Sequence, residues 1–301
     1  MHARVLAQYR GLWLVATPNE NKLVPARGRL DETPVTGDVV ELDDAGAIAA
    51  IAPRAGTIIR KAAGEAARPQ VLAANVDVAL VTEPLPDPNP RRLERFIATA
   101  RDAEVAVVLT KADLDPGGYL TAARLARRVG VADALAVSAV TGEGMAALRA
   151  LLGPRRTGVL LGASGTGKST LVNALLGEPR QATAPVRASD GRGRHTTVTR
   201  ELLALPGGGA LIDTPGIRIA GVWERTGFDD VERLAAECRF GDCAHESEPG
   251  CAVRANLDPE RVAAWRKLQR ELEWVQDRRA ASRARERLVR EHTLAQRRRG
   301  R

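Results

Sequence analysis

The chain is 301 residues long, with 27% charged residues and a formal net charge of +8. Its sequence shows no apolar run near the ~18 residues of a membrane span and no apolar signal-peptide segment at its start. Membrane partners and secretion are therefore not expected. We predict a cytoplasmic, monomeric protein with room for two or three domains.

Short β-like runs separated by turn residues occupy the first part of the chain. They comprise residues 4–8, 12–16, 39–42 and 57–59. This pattern predicts a small β-barrel of the OB type over residues 1–68. Such barrels often bind nucleic acid, but a barrel that only packs against its neighbouring domain fits the same pattern.

The pattern changes to alternating strands and helices in residues 69–232. The predicted strands are 76–82, 105–109, 134–137, 158–161 and 210–212, and the predicted helices are 91–102, 119–129, 145–152 and 169–176. The alternation predicts an α/β domain in which a parallel sheet carries helices on both faces. The four loop motifs described in the next three paragraphs all follow strand ends, where ligands bind in such sheets.

A phosphate-binding loop follows the predicted strand 158–161. It matches G-x-x-x-x-G-K-[ST] with Gly162, Ala163, Ser164, Gly165, Thr166, Gly167, Lys168 and Ser169, and Thr170 extends the nucleotide-binding set. Main-chain N–H groups of such a loop surround phosphate oxygens at the start of a helix. We expect Lys168 to reach the β- and γ-phosphates and Ser169 to bind Mg²⁺.

Two strand-end loops carry the residues expected to recognise guanine. Thr110-Lys111-Ala112-Asp113 ends one predicted strand, and Ser138-Ala139 ends the next. Asp113 can accept hydrogen bonds from guanine N1 and N2, which adenine cannot donate, and Lys111 is expected to lie along the base. The usual motif begins with asparagine, and the Thr110 hydroxyl can replace only part of that amide.

The candidate γ-phosphate sensor is Asp213-Thr214-Pro215-Gly216, after the predicted strand 210–212. Asp213 suits a second Mg²⁺ contact, and the Gly216 amide suits the γ-phosphate. In Ras-like GTPases the phosphate loop comes first and the base-recognition loops come last. Here both base-recognition loops precede the phosphate loop, so the domain is predicted to be circularly permuted.

The segment 191–197, GRGRHTT, lies where the first switch loop belongs. We expect Thr197 rather than Thr196 to complete the Mg²⁺ shell in the GTP state. Ile217 stands where Ras-like enzymes keep the glutamine that orients the attacking water. His195 is the nearest candidate for that role, and a solvated histidine is the alternative interpretation.

Cys238, Cys243, His245 and Cys251 form the pattern C-x(4)-C-x-H-x(5)-C. Three thiolates and one imidazole complete a tetrahedral zinc shell with no open position, so we predict one structural Zn²⁺ per chain. Unrelated surface thiols are the alternative. The cluster belongs to a predicted module over residues 233–301.

The end of this module is basic. Residues 261–301 contain 14 Lys/Arg and 5 Asp/Glu, a net charge of +9. Trp265, Leu268, Leu272 and Val275 recur at helical spacing and predict the packed face of a long helix that begins near Pro259. The charge favours a polyanionic partner such as nucleic acid, and a solvated helix fits it equally well.

Together these motifs resemble those of the ribosome small subunit-dependent GTPase A family, circularly permuted bacterial GTPases that act late in small-subunit assembly. The likeness runs along the whole chain and includes the GRGRHTT segment and the cysteine spacing. It implies a catalytic His195, and contacts of the barrel and the zinc module with ribosomal RNA. Thr110 departs from the family's usual asparagine. Gly165 replaces the asparagine of several K⁺-dependent GTPases, so no K⁺ cofactor is predicted.

The predicted activity is GTP hydrolysis stimulated by the small ribosomal subunit, with Lys168, Thr197 and His195 as the catalytic set. Two other function classes fit parts of the sequence. A P-loop kinase or ATPase would share the phosphate loop, but Asp113 and the Ser138 loop favour guanine. A nucleotide-gated RNA-binding module with negligible hydrolysis would fit Ile217.

Overall fold

The structure is a computed structural model that describes residues 1–28, 30–61, 69–179, 200–214, 228–270 and 273. Within these residues, five strands form the N-terminal barrel: β1 (His2–Tyr9), β2 (Leu12–Ala16), β3 (Asn21–Val24), β4 (Val39–Leu42) and β5 (Ile48–Ile51). β1 pairs antiparallel with β2 and β4, which pair with β3 and β5. A parallel bridge between Ala26 and Ile48 closes the barrel.

The barrel has its own apolar core because alternate strand residues point inward. Val5, Trp13 and Val40 are among its buried members, and the Trp13 indole N–H donates to the Pro34 carbonyl at 2.9 Å. The predicted OB-type barrel is thereby confirmed. Strands β3 and β5 were not predicted, since runs of four residues with little alternation give a weak signal.

A hairpin connects the barrel to the α/β domain. It consists of β6 (Thr57–Lys61) and β7 (Pro69–Ala74), which pair antiparallel. The predicted boundary between residues 68 and 69 falls between these two strands. The described residues contain seven further strands: β8 (Val78–Pro84), β9 (Ala100–Arg101), β10 (Glu104–Thr110), β11 (Asp133–Val137), β12 (Thr157–Leu161), β13 (Glu201–Ala204) and β14 (Ala210–Asp213).

The α/β sheet has the strand order β11-β10-β8-β12-β14-β13. Its first five strands are parallel, and β13 runs antiparallel to β14. After β8 the chain adds strands on one side, and after β12 it adds them on the other. The order therefore reverses between β8 and β12, and a ligand crevice is expected at their carboxyl ends.

Helices cover both faces of this sheet, as predicted. They are α1 (Pro90–Ile97), α2 (Gly118–Val129), α3 (Met145–Leu152) and α4 (Lys168–Leu176). α1 and α2 pack on one face, where Ala79, Val81 and Val107 point, and α3 and α4 pack on the other, against Val78 and Leu80. Both faces of the strands are buried, which explains their almost continuous apolar sequences.

The predicted helix 91–102 is wrong in its second half, because α1 ends at Ile97. The Thr99 hydroxyl donates to the Phe96 carbonyl at 2.6 Å, and the next two residues pair with β6 as strand β9. This pairing satisfies main-chain groups that the sequence assigned to a helix, so tertiary contacts override helical propensity here.

The C-terminal module contains α5 (Asp229–Ala235), α6 (Ala252–Asn256) and a helix over residues 259–270, called α7. The predicted start of a long helix near Pro259 is confirmed, and Leu272 and Val275 of the predicted stripe lie outside the described residues. Among the described helices, none combines the length and apolar character that crossing a membrane requires.

Candidate nucleotide-binding and zinc sites

The fold brings the predicted nucleotide-binding motifs to one edge of the sheet. The phosphate loop follows β12, Thr110 ends β10, Ser138 follows β11, and Asp213 ends β14. These four strands are parallel, so their carboxyl ends meet at the same edge. The motifs are distant in the chain and adjacent in space, in the crevice that the strand order predicts.

The phosphate loop has the backbone that its glycines allow. Gly165 and Gly167 adopt φ values of 83° and 87°, which other residues rarely reach, and Gly167 directly precedes α4. A Cβ on Gly162 would lie 2.1 Å from the Thr82 hydroxyl oxygen, so a side chain is excluded there. The loop therefore directs the start of α4 toward the crevice, as phosphate binding requires.

Lys168 is buried and held by the loop itself. Its Nζ donates to the carbonyl oxygens of Gly162 and Ala163 at 2.8 and 2.6 Å. Burial lowers the pKa of Lys168 to about 8, while the charges of Asp213 and Glu83 act in the opposite direction. An ammonium group has three donors, so one remains for a phosphate oxygen, whose charge would favour the protonated form.

The base-recognition loop is tethered to the phosphate loop. The buried Thr110 hydroxyl donates to the Thr166 carbonyl oxygen at 2.7 Å. Lys111 adopts a left-handed conformation, with φ of 61°, and residues Ala112–Leu114 form a 3₁₀ turn that leaves Asp113 exposed. The threonine that replaces the usual asparagine thus still links the two loops.

Ser138 lies beside Asp113 and holds its carboxylate. The Ser138 hydroxyl donates to Asp113 Oδ1 at 2.6 Å and accepts from the main-chain N–H groups of Val140 and Thr141, both at 3.2 Å. The single hydroxyl proton is thereby directed to the carboxylate. Asp113 keeps free lone pairs with which it can accept from two guanine N–H groups.

Asp213 lies buried at the end of β14, beside Lys168. Burial raises its pKa, and the charge of Lys168 opposes that shift. The Thr214 hydroxyl donates to the Leu160 carbonyl oxygen and so fixes the exit from the strand. The other predicted residues of the switch regions, Gly216, His195, Thr197 and Ile217, lie outside the described residues.

Two buried polar residues of this crevice, Thr82 and Glu83 near the end of β8, were not predicted from the sequence. Glu83 accepts two hydrogen bonds from the Arg92 guanidinium and a third from the Asn89 main-chain N–H. The signal available in the sequence was a threonine and a glutamate at the end of an otherwise apolar strand. Buried polar side chains need specific partners, so such a pair indicates polar contacts at that strand end.

The four predicted zinc ligands come together in the C-terminal module, with their ligand atoms all within 4.8 Å of one another. The sulfurs of Cys238 and Cys251 are 3.9 Å apart, and His245 Nδ1 lies 3.6 and 3.4 Å from them. Tetrahedral zinc geometry with usual bond lengths places two sulfurs ~3.8 Å apart and sulfur and nitrogen ~3.6 Å apart. The donor set, with Cys243 as the fourth member, therefore fits Zn²⁺.

Neighbouring side chains support this site. The His245 ring packs against Trp265 with 5.1 Å between ring centroids. Burial lowers the pKa of His245, which favours the neutral imidazole that binds metal. The Glu248 carboxylate accepts from the main-chain N–H groups of Ala244, Glu246 and Ser247. These contacts organise a loop that contains little apolar surface.

The chain matches a known protein family over more than half of its length. The family model described as RsgA GTPase matches residues 51–223 of the chain. A relative from Opitutus terrae, "Small ribosomal subunit biogenesis GTPase RsgA", is 50% identical over 240 residues, covering 75% of this chain and 65% of the relative. A relative of the same name from Xanthomonas campestris pv. campestris strain B100 is 46% identical over 292 residues, covering 90% and 80%.

Two solved structures share the fold. YjeQ from Thermotoga maritima superposes with a TM-score of 0.65 at 24% identity, covering 90% of this chain and 98% of that one. YloQ, described as a circularly permuted GTPase, gives a TM-score of 0.61 at 23% identity, covering 90% and 94%. The predicted fold, in which a barrel and a permuted α/β domain precede a C-terminal module with a cysteine and histidine cluster, is thereby confirmed.

Proposed function

The chain belongs to the RsgA GTPase family, and we propose that it hydrolyses GTP to GDP and phosphate during late assembly of the small ribosomal subunit. One observation carries the nucleotide assignment. Asp113, fixed by Ser138, lies on a loop that Thr110 ties to the phosphate loop. A guanine-selective acceptor and a phosphate cradle are thus joined at one crevice, which favours GTP over ATP.

Four residues carry the proposed contacts with the phosphates and with Mg²⁺. Lys168 offers its remaining donor to the β- and γ-phosphates, and the main-chain N–H groups at the start of α4 face the same oxygens. Ser169, in the first turn of α4, and the buried Asp213 suit Mg²⁺, whose charge would neutralise the phosphate oxygens. Gly216 offers a main-chain N–H to the γ-phosphate.

We assign the attacking water to the first switch segment. Ile217 cannot orient water, whereas the imidazole of His195 can accept or donate a hydrogen bond to it. Thr197 completes the Mg²⁺ shell in the GTP state. Hydrolysis by the free protein is therefore expected to be slow, and faster once a partner places these side chains beside the γ-phosphate.

The permuted order offers a physical link between nucleotide state and the outer domains. β13, which follows the first switch segment, pairs with barrel strand β1 at Ala7 and Glu201. Asp213 ends β14, and Phe228, the first described residue after the γ-phosphate sensor, belongs to the C-terminal module. The first switch segment therefore precedes a strand that pairs with the barrel, and the γ-phosphate sensor precedes the C-terminal module in the chain. We propose that both of these outer modules contact ribosomal RNA.

The ribosomal partner is proposed from the named activity of the relatives and from the charge of this chain. The barrel supplies an OB-type surface. Residues 261–301, most of which lie outside the described residues, carry a net charge of +9. Such a charge releases counterions from phosphates, so binding should weaken steeply as the salt concentration rises. We further propose one structural Zn²⁺ per chain, a monomeric state and a cytoplasmic location.

The test is GTP hydrolysis measured for the protein alone, with purified small subunits and with purified large subunits. We expect slow turnover alone, a large increase with small subunits, little increase with large subunits, and no ATP hydrolysis. The rival RNA-binding module, which Ile217 favours, predicts subunit binding without turnover. Equal hydrolysis of ATP and GTP would contradict the guanine assignment.

A further inference from the structure

The hydroxyl of Thr82 is buried beneath the phosphate loop, and Thr82 belongs to none of the motifs described above. Thr82 is located near the carboxyl end of β8 and is fully buried. Its Oγ1 lies 3.0 Å from the carbonyl oxygen of Leu161, the last residue of β12, and 2.9 Å from Oγ1 of Thr166. Thr82 therefore contacts the phosphate loop both where it begins and near its end.

Thr166 connects this hydroxyl to the rest of the loop. Its own hydroxyl lies 3.0 Å from the Ala163 carbonyl oxygen, and its carbonyl accepts the hydrogen bond from Thr110. The two hydroxyls have two protons for three contacts. In one arrangement Thr82 donates to Thr166, and Thr166 donates to the Ala163 carbonyl. In the other, Thr166 donates to Thr82, and Thr82 donates to the Leu161 carbonyl. In both arrangements the hydroxyl pair ties β8 to the loop.

The phosphate-loop residues next to the Thr82 and Thr166 hydroxyls are also the ones that hold Lys168. The Ala163 carbonyl accepts from Lys168 Nζ at 2.6 Å, and Gly162, the other acceptor, approaches Thr82 so closely that a Cβ would lie 2.1 Å from its hydroxyl oxygen. A shift of the loop relative to Thr82 would therefore also displace the ammonium group. Phosphate binding depends on these positions, because the donors must converge on the same oxygens.

We propose that Thr82 is a positioning residue for guanine nucleotide binding, acting through the Thr166 hydroxyl on the phosphate loop and on Lys168. This inference rests on the proposed function. It adds β8 as a third support of the loop, beside β12, from which the loop emerges, and β10, which holds it through Thr110.

Thr82→Val tests the hydroxyl, because valine keeps the branched shape. The substitution removes the contact of β8 with the Thr166 hydroxyl, which keeps only the Ala163 carbonyl as a partner, and should weaken GTP and GDP binding about tenfold. Thr166→Val should do the same. If the two hydroxyls act as one unit, the double variant should bind no more weakly than either single variant. Thr82→Ser, which restores the hydroxyl, should bind nearly as the parent does.

Thr99→Val is the matched control. Thr99 is also buried, and its hydroxyl donates to the Phe96 carbonyl at the end of α1, away from the phosphate loop. Its loss should lower thermal stability without changing nucleotide affinity. This comparison separates a positioning role from a general cost of removing a buried hydroxyl.

The measurements are titration with a fluorescent GDP analogue, competition by GTP, and melting without nucleotide, for the parent and all five variants. Parent-like affinity of a folded Thr82→Val variant would overturn the inference, and so would an equal loss of affinity in Thr99→Val. If Thr82→Val does not fold, Thr166→Val decides in the same way, and parent-like affinity of that variant would overturn the inference. Failure of the parent to bind GTP would instead overturn the proposed function.

Discussion

Arg261 and Glu94 form a buried ion pair with 3.6 Å between guanidinium and carboxylate, joining α7 of the C-terminal module to α1 of the α/β domain. The same guanidinium donates to Asp230 of α5 at 2.8 Å and lies 4.1 Å from the centroid of the Phe228 ring. Arg261 of α7 is therefore in contact with both α1 of the α/β domain and the start of the C-terminal module.

Glu94 should make stability depend on pH. Burial raises its pKa to about 7 despite the nearby charges of Arg261 and Arg128. Its contribution to stability is therefore complete below the ordinary pKa of 4.5 and is lost as the pH rises to about 7. Glu94→Gln should remove that decline, which is on the order of 3 kcal/mol. Melting temperatures from pH 5 to 8 with saturating zinc measure the effect.

The control for this prediction is Glu104→Gln. Glu104 pairs with Arg156 at the surface, with its side chain 64% exposed. Its variant should follow the parental pH curve. If Glu94→Gln also follows the parental curve, Glu94 does not titrate in this range.

Asp113→Asn should move nucleotide selectivity from guanine to xanthine. The asparagine amide can donate a hydrogen bond to the 2-oxygen of xanthine. With guanine, the same amide N–H would lie opposite the amino group of the base, which is also a donor. GTP affinity should fall at least about tenfold while XTP affinity rises. Asp115→Asn makes the same change two residues away, in a carboxylate that accepts from Gly117. Competition titrations should show it unchanged, and an Asp113→Asn variant with parental selectivity would refute the base assignment.

Thr110→Val should loosen the tether between the two loops. It removes the hydroxyl that donates to Thr166 while keeping the buried shape. We expect GDP and GTP to bind about fivefold more weakly, corresponding to a hydrogen bond of about 1 kcal/mol. Thr110→Asn should bind at least as tightly as the parent because the amide can also reach the carbonyl. Calorimetric titration distinguishes these outcomes, and equal affinity of all three proteins would mean that the tether has no effect.

Cys251→Ser should release zinc and unfold the C-terminal module. Cys251 is buried in the module core, and its sulfur also accepts from the Arg254 main-chain N–H. The zinc content measured by metal analysis should fall from one ion per chain to far less. The melting curve should show an additional transition at lower temperature, because structural zinc contributes to the folding free energy. Nucleotide binding should remain. Ser247→Ala, in the same loop, should retain full zinc content. A folded parent without zinc would contradict the assignment.

His195→Ala should abolish most of the hydrolysis that small subunits stimulate, while GTP affinity stays close to the parental value. That profile identifies an interaction made mainly in the transition state. Thr196→Ala is the matched control in the same segment and should keep stimulated turnover. Single-turnover rates with saturating subunits give the comparison. Full stimulated turnover of His195→Ala would show that the attacking water is oriented elsewhere, for example by the ribosome.

The sequence by itself determined the local motifs. The phosphate loop lies within eight consecutive residues, and the four zinc ligands lie between residues 238 and 251. In such short segments the spacing of glycines and ligand side chains already specifies which atoms can converge. The reversed order of the motifs also predicted the permuted domain, since strand ends are where these loops must lie.

Only the tertiary structure decided the long-range contacts. Thr82 and Thr166 are 84 residues apart in the chain, and Thr110 and Thr166 are 56 apart. Residues 100–101 form β9 because β6 offers free main-chain groups, and Arg261 is buried because Glu94 and Asp230 surround it. Each of these contacts depends on which elements become neighbours, and a hydroxyl, a carboxylate or a short strand has no sequence pattern that names its distant partner.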